Sequence, residues 1–229
     1  MPSASRKRRN GGRPWAVRSP DAAIVKHLEA EGGFSPLLAR TLAGRGLATA
    51  DSARSFLDAR LTDLLGDPFG LKDMDRAVGR VARAIAEREQ IAIFGDYDVD
   101  GITATVLMLR VLRWLKTEPI YYIPHRTDEG YGLSCEAIDS LASRGVRLLV
   151  TVDNGITSLE EVDHARSRGL DCVVTDHHQA GAKLPDACAV VNPNRPDCTY
   201  GFRHLSGVGV AFKLAHALLR QMGVEERGA

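Results

Sequence analysis

The chain reads as an α/β protein: a parallel sheet of about five strands with helices on both faces, preceded by a small helical lead. Three observations predict this. Short apolar runs alternate with amphipathic stretches of roughly ten to fifteen residues, the pattern of βαβ units whose strands are covered on both sides. Helix punctuation sits where those stretches begin and end, with Ser134 before one and Gly145 just past it. Acidic and imidazole residues gather just after the apolar runs, which is the edge where open parallel sheets bind ligands.

Residues 1–20 read as a basic, disordered tail, with Arg6, Lys7, Arg8, Arg9, Arg13 and Arg18 crowded together and Trp15 the one hydrophobic anchor. A loose electrostatic grip on nucleic acid is the other reading of that tail. Residues 21–70 form the helical lead. Helices are predicted over Asp21–Glu31, over Ser35–Arg45 with Pro36 in the first turn, and over Ala50–Arg60 with Thr49 as N-cap. Leu61–Lys72 is a loop. Residues 71–229 form the α/β domain, opening with an amphipathic helix, Asp73–Glu89, whose stripe is Val78, Val81, Ala82 and Ile85. Arg76, Arg80, Arg83, Glu87 and Arg88 fall mostly off that stripe.

Strands follow at Ile91–Phe94, Ile120–Ile123, Arg147–Val152, Cys172–Thr175 and Ala187–Val191. Between and after them come helices at Ile102–Lys116 (apolar nearly all round, hence buried), Ser134–Arg144, Ser158–Arg168 with a Ser158–Glu161 capping box, and Val208–Met222.

Net charge is +1, with 44% hydrophobic and 26% charged residues, an ordinary soluble composition that names no partner. No apolar run is long enough to span a bilayer, and the basic N-terminus lacks the apolar core of a secretory signal. Cys135, Cys172, Cys188 and Cys198 form no C-x-x-C pair; they fit buried thiols in a reducing compartment, so a cytoplasmic location is expected.

The chemistry is read from the strand ends. After the first strand comes Gly95-Asp96-Tyr97-Asp98-Val99-Asp100-Gly101, after the third Asp153-Asn154-Gly155, and after the fourth Asp176-His177-His178. In an extended or turning backbone, Asp98 and Asp100 aim the same way, and carboxylates crowded together need a cation between them. The loop between Gly95 and Gly101 matches neither the dinucleotide nor the ATP fingerprint, and its acids would repel a bare phosphate. Carboxylates with an imidazole favour Mn²⁺ or Mg²⁺, and two such ions about 3.5–4 Å apart are the usual device for phosphoester hydrolysis. Asp98, Asp100, Asp153 and His177 are the expected ligands, with Asp153 bridging. Asp176 is expected to orient His177, and His178 to face the scissile phosphate or its leaving oxygen. Asp96 and Asn154 are read as loop support. For phosphate, Arg195 is a candidate or else an exposed turn residue; Ser206, Gly207 and Gly209 before the last helix serve either phosphate or close packing.

With DYDVDG (Asp96–Gly101), VDNGI (Val152–Ile156) and the triplet at Asp176–His178, the sequence resembles the DHH phosphoesterase family. HRTDEGYGLS (His125–Ser134), VVNPNRPDC (Val190–Cys198) and LSGVGVAFKLA (Leu205–Ala215) are similar to its bacterial branch of single-strand-specific DNA exonucleases. The resemblance covers about Leu71 to Met222. It implies metal-dependent, 5′-to-3′ hydrolysis of single-stranded DNA in recombination and repair, by a monomer that meets DNA and other repair proteins but no membrane. Position by position, Asp98 and Asp100 match the first metal motif, Asp153 the bridging aspartate, His177 the metal-binding histidine and His178 its catalytic partner. Other activities open within the superfamily are hydrolysis of short oligonucleotides or cyclic dinucleotides, and DNA binding in replication without cutting. The sequence departs from the family at Phe94, where many members carry a metal-binding histidine. A fourth motif, a further metal-binding aspartate, has no counterpart before Ala229. The expectation is an N-terminal fragment, weak or inactive by itself.

Overall fold

Alternation decides how the strands are covered. In the first strand, Ile91 and Ile93 pack into one apolar cluster while Ala92 and Phe94 pack into another, so both faces are buried. In the computed structural model, which describes residues 19–60, 65–125, 130 and 132–224, this strand is β1, Gln90–Phe94. It joins β2 (Ile120–Tyr122), β3 (Val146–Val152), β4 (Asp171–Thr175) and β5 (Ala189–Val191) in one parallel sheet of order β2-β1-β3-β4-β5. The expected α/β architecture is borne out.

The chain divides into two compact units, residues 1–66 and 67–229. In the first, α1 (Ala22–Gly32), α2 (Pro36–Gly44) and α3 (Ala50–Leu57) enclose a small core that includes Leu28, Ala39, Leu42 and Ala53. Their N-caps are Asp21, Ser35 and Thr49, the last in a capping box with Ser52. The basic tail falls almost wholly outside the described residues, as do parts of the Leu61–Lys72 loop and of the His125–Ser134 segment.

In the second unit, α4 (Met74–Ala86), α5 (Val99–Trp114) and α8 (Gly207–Gln221) cover one face of the sheet, and α6 (Cys135–Ser143) and α7 (Leu159–Ser167) the other. Several expectations need correction. The α5 helix begins three residues before Ile102, because Asp98 caps it. Nor is it buried all round: Val99, Ile102, Val106 and Trp114 are exposed. Arg80 is buried rather than off the stripe, since Glu89 and Asp171 answer its guanidinium at 2.6 Å each. Ser158 precedes α7 without a side-chain cap bond, so the capping box is absent there.

Strand order positions the site. From β1 the chain runs outward to β2, then returns to β3 on the other side. The order therefore reverses between β1 and β3, and a crevice opens outside their carboxyl ends.

Candidate metal centre

The loop leaving β1 turns straight into α5. Asp98 is the N-cap, its Oδ1 accepting from the Gly101 N–H at 2.9 Å. Helix and loop touch so closely that a Cβ on Gly101 would lie 2.5 Å from that of Asp96, which only glycine avoids. Asp100, in the first turn, reaches to the start of α8. Its two oxygens accept from the Gly207 N–H at 2.6 Å and the Val208 N–H at 2.7 Å. The positive ends of both helices therefore face the acids. Asp98, in extended backbone at the cap, and Asp100, in the first helical turn, meet the cluster from a helix start.

Asp153 leaves β3 in the left-handed region, φ 65°, a conformation aspartate tolerates better than most residues. The turn is tied down by buried hydroxyls and one amide. Thr151 Oγ1 donates to the Asn154 carbonyl, Thr175 Oγ1 to the Thr151 carbonyl, and Asn154 Nδ2 to the Val152 and Phe94 carbonyls. Asn154 thus ties the β3 exit to the β1 exit. The sequence offered no sign of the two threonines' part, because threonine in a strand reads simply as β-propensity.

The His177 ring meets both loops. Its Nε2 lies 3.1 Å from Asp153 Oδ1 and 3.7 Å from Asp100 Oδ2. Asp153 shares two groups whose ligand-type atoms lie within 4.8 Å of one another, one with His177 and His178, the other with Asp96 and Asp98. Gly207 completes the cradle, since a Cβ there would sit 2.2 Å from Asp153 Oδ1. Burial, then the carboxylates of Asp100 and Asp98, push the Asp153 pKa up to about 7, with His178 pulling the other way. Burial also raises Asp96, helped by Asp98 and opposed by the Tyr97 N–H.

Asp176 serves His178 rather than His177. Its Oδ1 meets His178 Nδ1 at 2.7 Å and accepts the N–H groups of both histidines, while Oδ2 accepts the Ile156 N–H. Burial disfavours a charged His178 ring, but the Asp176 hydrogen bond and the carboxylates of Asp176, Asp153 and Asp96 outweigh it and raise its pKa. Beside the cluster lies a cleft of about 620 Å³, lined by Tyr97, Asp98, Leu133, Gly155, Ile156 and His178 among others.

Two phosphate candidates find internal partners instead. Arg195 is buried, and its guanidinium is taken by Asp73, Asp197 and the Val190 carbonyl. The N–H groups of Gly207 and Val208 hold Asp100, and the Gly209 N–H is capped by Ser206 Oγ. Close packing accounts for Gly207.

The donors fit a small divalent cation: oxygen-rich, with one or two imidazole nitrogens, and negative enough that one carboxyl holds its proton near neutrality. The chain is 47% identical over 208 residues to the single-stranded-DNA-specific exonuclease RecJ of Bacillus subtilis, matching 91% of this chain and 26% of that protein. It is 42% identical over 193 residues to the Escherichia coli RecJ, matching 82% of this chain and 32% of that one. A crystal structure of RecJ from Thermus thermophilus in complex with Mn²⁺ superposes with a TM-score of 0.72 at 28% identity, covering 92% of this chain and 29% of that chain. The chain thus spans about a quarter to a third of the relatives it matches. The family model for the N-terminal domain of the DHH family matches residues 90–228, from the first strand of the sheet through its last helix, and the chain belongs to that family.

Proposed function

We propose that the protein holds Mn²⁺ or Mg²⁺ and takes part in 5′-to-3′ hydrolysis of single-stranded DNA in recombination and repair. The observation that carries this reading is the meeting of Asp96, Asp98, Asp100, Asp153, His177 and His178 at the carboxyl ends of β1, β3 and β4. Likeness to RecJ proteins supports the substrate. The proposed cation ligands are Asp98, Asp100, Asp153 and His177, with Asp96 as a further carboxylate at the same point. Bound there, divalent ions would lower the pKa of the attacking water and offset charge growing on the phosphate.

The chain's own groups supply the rest. His178, its Nδ1 fixed by Asp176, lines the cleft and has a raised pKa. It is therefore suited to donating a proton to the departing oxygen. The α5 and α8 N-termini steady the carboxylates. Four free cysteines are in keeping with a reducing, cytoplasmic setting, and among the described residues no helix is long and apolar enough to cross a membrane.

The test is a chimera in which this chain replaces the matching part of the Bacillus subtilis RecJ. With Mn²⁺ it is expected to release mononucleotides from the 5′ end of single-stranded DNA, spare duplex, and fall silent with Asp153→Asn. Equal cutting of duplex, or preference for dinucleotides, overturns the reading. Residues 1–229 alone are expected to bind Mn²⁺ and cut little.

A further inference from the structure

The turn carrying the two histidines is gripped on both of its polar edges. Its N–H groups are taken by Asp176: those of His177 and His178 lie 2.7 and 3.1 Å from Oδ1. Its carbonyls are taken by the segment leaving β5. Asn194 Nδ2 donates to the His177 carbonyl at 2.5 Å, and Asn192 Nδ2 to the His178 carbonyl at 3.0 Å. Both partners are carbonyl oxygens, so only the NH₂ side of each amide can face them. Asn192 Oδ1 also accepts the Asn194 N–H at 2.7 Å, so the buried amide orients the outer one.

The sheet makes this possible. β5 pairs with β4 through Thr175 and Val191, and the ladder runs one step further, Asp176 N–H to the Val191 carbonyl. The β5 exit therefore lies beside the histidine turn. Asn192 is 0% exposed. A turn needing only polar satisfaction could leave its carbonyls to water; here two side chains are committed to them. An imidazole swings from its Cα, so holding both flanking peptides limits where the ring nitrogens lie. The His177 Nε2 lies 3.1 Å from Asp153 Oδ1.

We propose that Asn192 and Asn194 are positioning residues that clamp the His177–His178 turn and so set the imidazole geometry of the centre. The consequence for cation binding rests on the proposed function; the clamp itself does not. Asn194 is partly exposed, which makes it the safer site to change. Asn194→Ala removes the amide. Asn194→Asp keeps its size but replaces the donor with a carboxylate that repels the His177 carbonyl.

Long-range ¹H–¹⁵N NMR of the imidazoles in metal-free residues 1–229 reads the clamp directly, with far-UV circular dichroism checking the fold. The unaltered chain is expected to give one sharp ring set for each of His177 and His178, and both variants to broaden or average that of His177. Unchanged rings in both variants overturn the proposal. Mn²⁺ titration followed by water-proton relaxation reads the consequence, with both variants expected to bind about tenfold more weakly. The loss with Asn194→Asp is the telling one, because added negative charge alone would strengthen binding. Equal affinity in all three proteins overturns the proposal. An unaltered chain that binds no Mn²⁺ refutes the cation reading instead, and the ring spectra still decide the clamp.

Discussion

Two aspartates in this unit, the half-buried Asp73 and the buried Asp153, meet opposite electrostatic fates. Asp73 accepts from Arg195 Nη1 at 2.7 Å and from the Val190 N–H at 3.2 Å, and Arg195 is in turn bracketed by Asp197. Burial alone would raise Asp73, but those bonds outweigh it and hold its pKa below the usual carboxylate value. Asp153 is more deeply buried, its strongest charged neighbours are Asp100 and Asp98, and its pKa climbs to about 7. The first cluster is balanced by its own protein groups and acts as a clasp between the start of α4 and the β5 exit. In the second, carboxylates outnumber the two imidazoles that face them, as at a site that an external cation completes.

Breaking the balanced cluster should cost most. Arg195→Ala removes a buried guanidinium and leaves the half-buried Asp73 without its cation, and is expected to lower stability by about 3–5 kcal/mol in urea unfolding. Asp153→Asn should move the other way. In metal-free protein at pH 8 it removes a buried charge and is expected to stabilise by roughly 2–4 kcal/mol, while abolishing any stabilisation by Mn²⁺. Gly207→Ala presses a methyl group onto Asp153 Oδ1 and should cost about 1–3 kcal/mol, with weaker Mn²⁺ binding by calorimetry. In contrast Gly79, with nothing within 4 Å of its would-be Cβ, should gain about 0.5–1 kcal/mol on Gly79→Ala.

The pH dependence has opposite signs at the two sites. Asp153 has a folded pKa above its unfolded value, so its favourable contribution is complete below pH 3.8 and is lost as pH rises towards about 7. Asp73 has a folded pKa below 3.8, so its contribution is complete above that pH and is lost as pH falls through the folded value. Metal-free unfolding midpoints across this range should show both limbs, and Asp153→Asn should flatten the upper one. Mn²⁺ should raise the midpoint at pH 8 and much less at pH 5, where the Asp153 proton competes with it.

Much of this was legible in the sequence, in an uneven way. Apolar runs fixed which residues end strands, and that sufficed to bring Asp98, Asp100, Asp153 and His177 to one edge. It could not fix tertiary partners. Asp176 lies next to His177 in sequence, yet in the fold its carboxylate turns to the ring of His178. Arg195 in an Asn-Pro-Asn-Arg turn reads as exposed, and its burial depends on Asp73, 122 positions away. The N–H groups of Gly207 and Val208 had the chemistry for phosphate, but Asp100 reaches them first. Nothing in the sequence singled out Asn192 and Asn194, because the carbonyls they hold belong to a neighbouring strand's exit.

The most direct test of the central claim is anomalous X-ray scattering from crystals of the chain grown with Mn²⁺. The account predicts a peak in direct coordination of Asp153 and His177, absent in Asp153→Asn crystals. No peak at that point, or one that persists in the variant, would contradict it.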